Sequence, residues 1–253
     1  METIGLIAAM VQERQALTRL VRGWRPTSLG SLRGYRFQVS GRNCILVQSG
    51  MGVQRAEAAT RAILEIAKPQ LLVSFGIAGA VQADLRIGDV VSAENTCLLE
   101  KGITGPLQPL THLSQAAWNA AAQALQPHGA RLISGTAITT HGFQAVDLQP
   151  EMTHPVLEME TTGILRAASE RNIPLLVLRS VSDGPRAPIP INLEEVMDES
   201  YNLQIGKMLK MVLRHPRLIL KSLPMVRNTQ IATDHAAIAL LAILKQPSPL
   251  IAE

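Results

Sequence analysis

The segments PVLEMETTG (155–163) and PLLVLRSVSD (174–183), separated by a predicted helix, decide how the rest of the sequence is interpreted. Each contains an apolar run that is typical of a buried strand and ends in acidic residues. Glu158 and Glu160 close the first run, and Asp183 closes the second. Because the carboxyl ends of parallel strands expose the working residues of an α/β sheet, we expect these carboxylates to lie at one sheet edge.

The composition fits one α/β domain. Of the 253 residues, 47% are hydrophobic and 17% are charged, which is enough apolar material for a large core. Aromatic residues make up only 3%, so the core must consist of small aliphatic side chains, as in sheets covered by helices on both faces. We predict an α/β domain over residues 1–200, with a mixed, mostly parallel central sheet flanked by helices, and a basic amphipathic helical extension over residues 201–253.

Cysteine spacing and hydropathy bear on the cellular location. Cys44 and Cys97 lie far apart without the spacing of metal ligands, and the N-terminus does not resemble a signal peptide. The longest apolar run, residues 236–244, is too short for a membrane-spanning helix. These features predict a cytoplasmic protein with reduced cysteines.

The positive charge is concentrated near the C-terminus. The chain carries a net charge of +4, but the region from Ser200 onward holds seven basic and two acidic residues, and the remainder is nearly neutral. A nucleic-acid surface is more often spread over the whole domain, so we expect no nucleic-acid partner.

The same region has a helical pattern. Its apolar stripe follows helical spacing and consists of Ile205, Met208, Leu209, Val212 and Leu213. Pro216 and Pro224 are expected to divide the C-terminal residues beyond this stripe into short helices. Two interpretations stay open: helices that pack on the core and support a homodimer, or a helix peripheral to the inner face of the membrane.

Other predicted strands also end in polar or glycine-rich segments. TIGLIAAM (3–10) is followed by Glu13, which fits either a helix-start residue or a catalytic carboxylate. A predicted hairpin ends in SGMG (49–52), and QLLVSFGIAGA (70–80) contains Gly76 and Gly79. Such glycines permit close approach of a ligand, and they equally suit a tight turn.

Several familiar site motifs are missing from the sequence. It contains no GxGxxG or Walker-type segment, no HxxxH pairing and no G-x-S-x-G elbow. We therefore expect no cofactor and no metal. Carboxylates gathered in one pocket, with pKa values pushed apart, suit the cleavage of a glycosidic bond.

Six blocks of sequence span about residues 3–185: IGLIAAMVQE, SGMG, FGIAGA, LRIGDVV, LEMETTG and VLRSVSD. In this order and at these separations they resemble the nucleoside phosphorylase superfamily, and most closely its branch of methylthioadenosine/S-adenosylhomocysteine nucleosidases. The resemblance implies a purine nucleoside N-glycosidase that releases adenine.

The resemblance also implies roles for single residues. Glu13 corresponds to the carboxylate that activates the attacking water, Glu160 to the one that holds the ribose hydroxyls, and Asp183 to the acid that protonates purine N7. Glu158 is interpreted as structural. The other expected site residues are Met159, Arg179, Ile77 and Gly52 around the ribose and the nucleophile, and Thr139, Thr140 and Ser182 around the base.

Water is the expected nucleophile, because Glu13 would repel an anion at the place where phosphate-using relatives bring arginines. Phosphate stays open as the alternative nucleophile, since four arginines could build an anion site: Arg14, Arg33, Arg36 and Arg55. Two further departures from the family pattern are Ile77 in place of a serine, which makes the site more apolar, and Gly163, which is expected to interrupt the helix after Glu160.

The C-terminal region resembles the hopanoid-biosynthesis members of the superfamily, which remove adenine from adenosylhopane. That resemblance implies a lipid-linked adenine nucleoside as substrate and contact with a membrane surface. The alternatives are a soluble methylthioadenosine/S-adenosylhomocysteine nucleosidase or a purine nucleoside phosphorylase. An alternative of another class is a catalytically inactive nucleoside-binding or membrane-peripheral module.

Overall fold

The apolar runs of the sequence become strands of one mixed sheet. The computed structural model describes residues 2–141, 146, 148–187, 216–247 and 249–252. The strands are β1 (Thr3–Ala8), β2 (Arg25–Leu29), β3 (Leu32–Val39), β4 (Arg42–Gln48), β5 (Leu71–Ala80), β6 (Val90–Glu100), β7 (Ile103–Thr104), β8 (Gln108–Pro109), β9 (Leu132–Thr140), β10 (Val156–Glu158) and β11 (Leu175–Asp183). The helices are α1 (Val11–Leu20), α2 (Val53–Ala67), α3 (Gln115–Leu125), α4 (Thr161–Ser169) and α5 (Pro216–Leu244).

The strand order places several carboxyl ends side by side. The sheet runs β10-β9-β6-β11-β5-β1-β4-β3-β2, and β4, β1, β5 and β11 are parallel in succession. Strand β10 pairs with β9 and also with β5, so β5, β11, β6, β9 and β10 close into a ring. The predicted α/β fold with a mixed central sheet is confirmed, and the segments that follow β1, β4, β5 and β11 meet at one edge.

Two hydrophobic clusters bury most of the core. One contains Leu6, Val73 and Leu178 of the central strands together with residues of α1, α3 and α5. The other contains residues of α2 and α4, among them Ile63 and Ile164. Each helix thus contributes its apolar stripe to the sheet, as expected for a core of small aliphatic side chains.

The prediction that Pro224 separates two helices is wrong, because α5 continues through it from Pro216 to Leu244. A proline inside a helix costs about 3 kcal/mol or more. Here it lies in the exposed N-terminal part of α5, whereas Ala236, Leu240 and Leu244 are fully buried in the core and hold the helix in place.

The structure describes only part of the predicted helical extension over residues 201–253. The boundary at residue 200 and the apolar stripe over residues 205–213 lie outside the described residues. The later half of α5 packs into the same hydrophobic cluster as β1, β5 and β11. In the part of the chain that the structure describes, helices of sufficient length and apolarity to cross a membrane are absent.

Gly163 does not interrupt the helix after Glu160. Helix α4 runs without a break from Thr161 to Ser169, and a β-carbon at Gly163 would collide with the carbonyl oxygen of Val53. The glycine therefore lets the start of α2 approach α4 closely, and this contact brings Gly52 beside Glu160.

Candidate active site

Glu13 lies in the first turn of α1 and connects this helix with β5. Its Oε2 accepts a hydrogen bond from the Met10 N–H at 2.8 Å, and its Oε1 accepts one from the Ile77 N–H of β5 at 3.0 Å. The carboxylate lies directly above Gly76, where any β-carbon would collide with it. A helix-start role accounts for the bond to Met10, but it explains neither the bond across to β5 nor the close approach to Gly76.

The side chain of Glu13 is only 3% exposed. Burial raises the pKa of this carboxyl group, while the Met10 and Ile77 N–H groups and the positive charge of Arg179 act in the opposite direction. A carboxylate that is desolvated but held by N–H donors is a stronger base than one in water. Glu13 is therefore suited to accept a proton.

Glu160 follows β10 and faces the glycine turn after β4. Its Oε1 accepts a hydrogen bond from the Gly52 N–H at 3.0 Å, and its Oε2 accepts one from the Met159 N–H at 3.3 Å. Burial, together with the negative charge of Glu158, raises the pKa of Glu160 to about 8. The structure thus joins the predicted ribose residues Glu160, Met159 and Gly52 in one hydrogen-bonded group.

Glu158 and Arg179 form a buried ion pair beneath this group. Their side chains are 0% and 2% exposed, and Arg179 Nη2 donates to Glu158 Oε2 at 2.7 Å. Arg179 Nη2 also donates to the hydroxyls of Ser74 and Thr161. Burial alone would raise the pKa of Glu158, but the charge of Arg179 and the hydrogen bonds from Thr139, Arg179 and Thr161 lower it below the usual value. Glu158 is therefore ionised.

The main chain at the start of α4 also binds Glu158. The Glu160 N–H donates to Oε2 at 3.0 Å, and the Thr161 N–H donates to both oxygens at 3.1 and 2.9 Å. An anion at a helix N-terminus is a favourable arrangement, because the first N–H groups have no partner within the helix. Glu158 thereby fixes the backbone that carries Glu160.

Asp183 ends β11 and is half-buried. A β-carbon at Gly79 would lie 2.8 Å from its Oδ2, so Asp183 occupies the space above Gly79 much as Glu13 occupies the space above Gly76. Burial raises the pKa of Asp183, and the Ser182 hydroxyl, which donates to its Oδ1 at 2.6 Å, opposes that shift. A carboxyl group that keeps its proton more readily than usual is suited to act as an acid.

The two glycines of β5 set the spacing of the site. At about 3.3 Å per residue, Gly76 and Gly79 are about 10 Å apart along the strand. The carboxyl groups of Glu13 and Asp183 are thus held at two points of one strand, with Ile77 between them.

Thr139 and Thr140 lie at the end of β9 and are buried. The Thr139 hydroxyl donates to Glu158 Oε1 at 2.5 Å and accepts a hydrogen bond from the Thr162 N–H at 3.1 Å. It therefore belongs to the ion-pair cluster, and the contact of these threonines with a base stays a prediction.

Sequence reasoning gave Glu158 a structural role and did not connect it with Arg179. A signal was present, since Arg179 interrupts the apolar run LLVLRSVSD and a buried guanidinium requires a carboxylate partner. Ser74 and Thr161, which complete the cluster around Arg179, gave no comparable signal.

The chain resembles known proteins over most of its length. A family model described as "Phosphorylase superfamily" matches residues 3–213. A 5′-methylthioadenosine/S-adenosylhomocysteine nucleosidase of Haemophilus influenzae (strain PittEE) is 26% identical over 224 residues, which are 83% of this chain and 98% of the relative. The nucleosidase of the same name from Actinobacillus succinogenes is 27% identical over 210 residues, covering 77% and 91% of the two chains.

Solved structures share the fold. The 5′-methylthioadenosine/S-adenosylhomocysteine nucleosidase of Neisseria meningitidis, in complex with methylthio-immucillin-A, superposes with a TM-score of 0.67 at 20% identity and covers 97% of this chain and 99% of its own. The futalosine hydrolase of Helicobacter pylori strain 26695 also gives a TM-score of 0.67, at 17% identity, with coverage of 95% and 96%.

Proposed function

Because the chain belongs to the phosphorylase superfamily, we propose that it is a nucleosidase that hydrolyses the N-ribosidic bond of a 5′-substituted adenosine and releases adenine. The observation that carries the proposal is the placement of Glu13 above Gly76 and of Asp183 above Gly79 on the same strand. Burial raises the pKa of both carboxyl groups, so that one can serve as the base and the other as the acid in the cleavage of a glycosidic bond.

The reaction divides between these groups. The C1′–N9 bond breaks and its electron pair goes to the base, which Asp183 protonates at N7 because adenine leaves poorly as an anion. Water attacks C1′ and loses its proton to Glu13. Glu160 accepts hydrogen bonds from the ribose hydroxyls, and its negative charge stabilises the positive charge that grows on the sugar.

Water is a better nucleophile than phosphate for this site. Arg179 lies near the expected nucleophile, but its charge is already compensated by Glu158. Arg14 donates to Gln48 and lies over the ring of Tyr35, and Glu13 adds a negative charge that repels an anion. We therefore propose hydrolysis, with activity that does not depend on added phosphate.

The names of the similar proteins favour small 5′-thioadenosines as substrates of this chain. The similar proteins of Haemophilus influenzae and Actinobacillus succinogenes are named methylthioadenosine/S-adenosylhomocysteine nucleosidases, and the Haemophilus protein is covered over nearly its full length. This supports the soluble alternative over the lipid-linked nucleoside of the sequence analysis.

A lipid-linked adenosine of adenosylhopane type is the second candidate. It is favoured by Ile77, which makes the site apolar, and by the surface of α5, where Leu223 and Val226 are 58% and 65% exposed beside Arg227. An exposed basic and apolar helix face suits contact with an anionic membrane surface. In this candidate the membrane would supply the substrate.

Adenine release from a panel of 5′-substituted adenosines tests both candidates. The panel contains methylthioadenosine, S-adenosylhomocysteine and an adenosine with a long 5′-alkyl chain, each with and without phosphate. We expect turnover of the first two without phosphate. Turnover restricted to the alkyl substrate, together with flotation of the protein on anionic liposomes, would instead support the lipid-linked substrate. Binding of adenine without turnover of any member would contradict the proposal.

A further inference from the structure

The ribose end of the site holds more carboxyl groups than cations. Glu13, Glu158 and Glu160 are buried close to one buried cation, Arg179. We propose that Glu158 is a positioning residue: with Arg179 as its counterion, it fixes the main chain of Glu160, and its negative charge makes Glu160 release a proton when ribose binds. The proposal rests on the nucleosidase function proposed above.

The first half of the proposal follows from hydrogen bonds. Glu158 accepts the Glu160 and Thr161 N–H groups and the Thr161 hydroxyl, so the first turn of α4 is tied to it. Glu160 itself is held only at its oxygens, by the Gly52 and Met159 N–H groups, in the hydrogen bonds that the structure gives its side chain. Glu158 thus fixes the main chain from which the Glu160 side chain extends, and the Gly52 and Met159 N–H groups orient the carboxyl group itself.

The second half follows from the charges around Glu160. The charged groups that act on it are Glu158 at the end of β10, Arg179 of β11 and Glu13 of α1. Burial and Glu158 make ionisation of Glu160 unfavourable, Glu13 adds to this, and Arg179 opposes it. Because Arg179 Nη2 lies 2.7 Å from Glu158 Oε2, much of the positive charge of Arg179 is compensated by Glu158.

The ligand changes this balance. With a pKa of about 8, Glu160 keeps its proton in most molecules of the free protein at pH 7. The two ribose hydroxyls can both donate to the Glu160 carboxyl group only when it is ionised, and two such donors favour the ionised form. The carboxyl group must then lose its proton as the nucleoside binds, and the site gains its negative charge only when the sugar that needs it is present.

Calorimetry in buffers of different ionisation enthalpy measures this proton. The probe is formycin A, an adenosine isostere whose carbon–carbon glycosidic bond cannot be hydrolysed, and adenine serves as the probe without ribose. Repeating both titrations with Asp183→Asn removes any proton that the base exchanges with Asp183. At pH 7 we expect formycin A to release up to about 0.9 proton more than adenine does, because a group with a pKa near 8 is about nine-tenths protonated there.

Substitution of Glu158 separates its electrostatic role from a merely structural one. In Glu158→Gln the release is expected to fall below about half of the original value, because Glu160 is ionised before the ligand arrives. Glu158→Asp keeps the charge and should retain most of the release even where turnover falls. The matched control is Glu170→Gln, which removes an ion-pair partner of Arg61 at the surface and should leave the release unchanged.

Glu158→Gln leaves Arg179 buried without its partner, so the double variant Glu158→Gln/Arg179→Met provides a second test if the single variant does not fold. It removes both charges, and the release should still fall because Glu158 acts on Glu160 more strongly than Arg179 does. Unchanged release in a folded variant would overturn the proposal.

The calorimetry also distinguishes failure of this inference from failure of the proposed function. If the unmodified protein binds formycin A but releases no more protons than with adenine, the inference is wrong and the nucleosidase function is unaffected. If neither formycin A nor adenine produces a binding heat, the proposed function itself fails, and the inference falls with it.

Discussion

The proposed function divides the candidate site into a sugar side, formed by Glu13, Glu158, Glu160 and Arg179, and a base side, formed by Ser182 and Asp183, and the two are built in different ways. On the sugar side every carboxylate is buried and accepts at least one backbone N–H group. On the base side Asp183 is half-buried, and its hydrogen bond in the described structure comes from the neighbouring Ser182 side chain. The backbone donors favour the ionised form of Glu13, whereas Asp183, which has few donors, keeps its proton more readily. Glu160, buried beside the ionised Glu158, is the exception on the sugar side. The difference therefore matches a base catalyst at one end and an acid catalyst at the other.

Replacing the acid on the base side should have the largest effect. Asp183→Asn keeps the shape of the side chain but removes the proton that the leaving base requires. We expect adenine release to fall by about 10⁴-fold, the upper end of what general acid catalysis contributes. The measurement is single-turnover release of adenine from methylthioadenosine.

The matched control is Asp84→Asn, the same change at an exposed aspartate whose described ionic contact is with His154. Its rate should be unaltered. If Asp183→Asn keeps more than a tenth of the original rate, the base side lacks an acid catalyst at this position and the comparison between the two sides fails.

Replacing the base on the sugar side should have a smaller effect. Glu13→Gln removes the proton acceptor but leaves water bound next to C1′, so we expect a loss of about 10³-fold in kcat with KM little changed. Glu65→Gln, at an exposed position of α2, is the control. A substrate with a better leaving group than adenine should recover none of this loss, but it should recover part of the loss in Asp183→Asn.

Ionisation of Glu160 lowers the free energy of unfolding at neutral pH. Its pKa is about 8 in the folded protein against an ordinary value of 4.5, so the folded state binds more protons than the unfolded state between these two values. Stability from this group is complete below pH 4.5 and is lost as the pH rises towards 8. At pH 7 the cost is about 3 kcal/mol, since each pKa unit corresponds to about 1.4 kcal/mol.

Glu160→Gln has no carboxyl group to ionise and should remove that cost. We expect the variant to have a higher free energy of unfolding than the unmodified protein at pH 7, by up to about 3 kcal/mol, and a similar one at pH 4.5. Urea unfolding at both pH values measures this. A difference that is the same at pH 4.5 and pH 7 would show that the ionisation of Glu160 is not what costs stability.

The sequence was sufficient for the fold and for the family, but not for the contacts of Glu158 and Arg179 beneath the candidate site. Apolar runs with polar ends predict strands and the edge where they meet, and the six blocks predict the family. The pairing of Glu158 with Arg179 depends on β10 and β11 both pairing with β5, and no local sequence pattern predicts that arrangement. The predicted helix break at Gly163 is wrong for the same reason. Helix propensity disfavours glycine, but it contains no information on the tertiary contact with Val53 that requires a glycine here.

The smallest expected effect on the rate concerns the described hydrogen bond to Asp183, which opposes the effect of burial on the pKa of that side chain. The Ser182 hydroxyl donates to Asp183 Oδ1 and favours the ionised carboxylate, so Ser182→Ala should raise the pKa of Asp183 further. Because Asp183 acts in its protonated form, the alkaline limb of the kcat/KM profile should move to higher pH, and the rate at pH 7 should change by less than about tenfold. The acid limb, which reports the carboxylates of the sugar side, should stay in place. If the acid limb moved as well, the two sides would not titrate independently, and the distinction between an organised base and a desolvated acid would have to be given up.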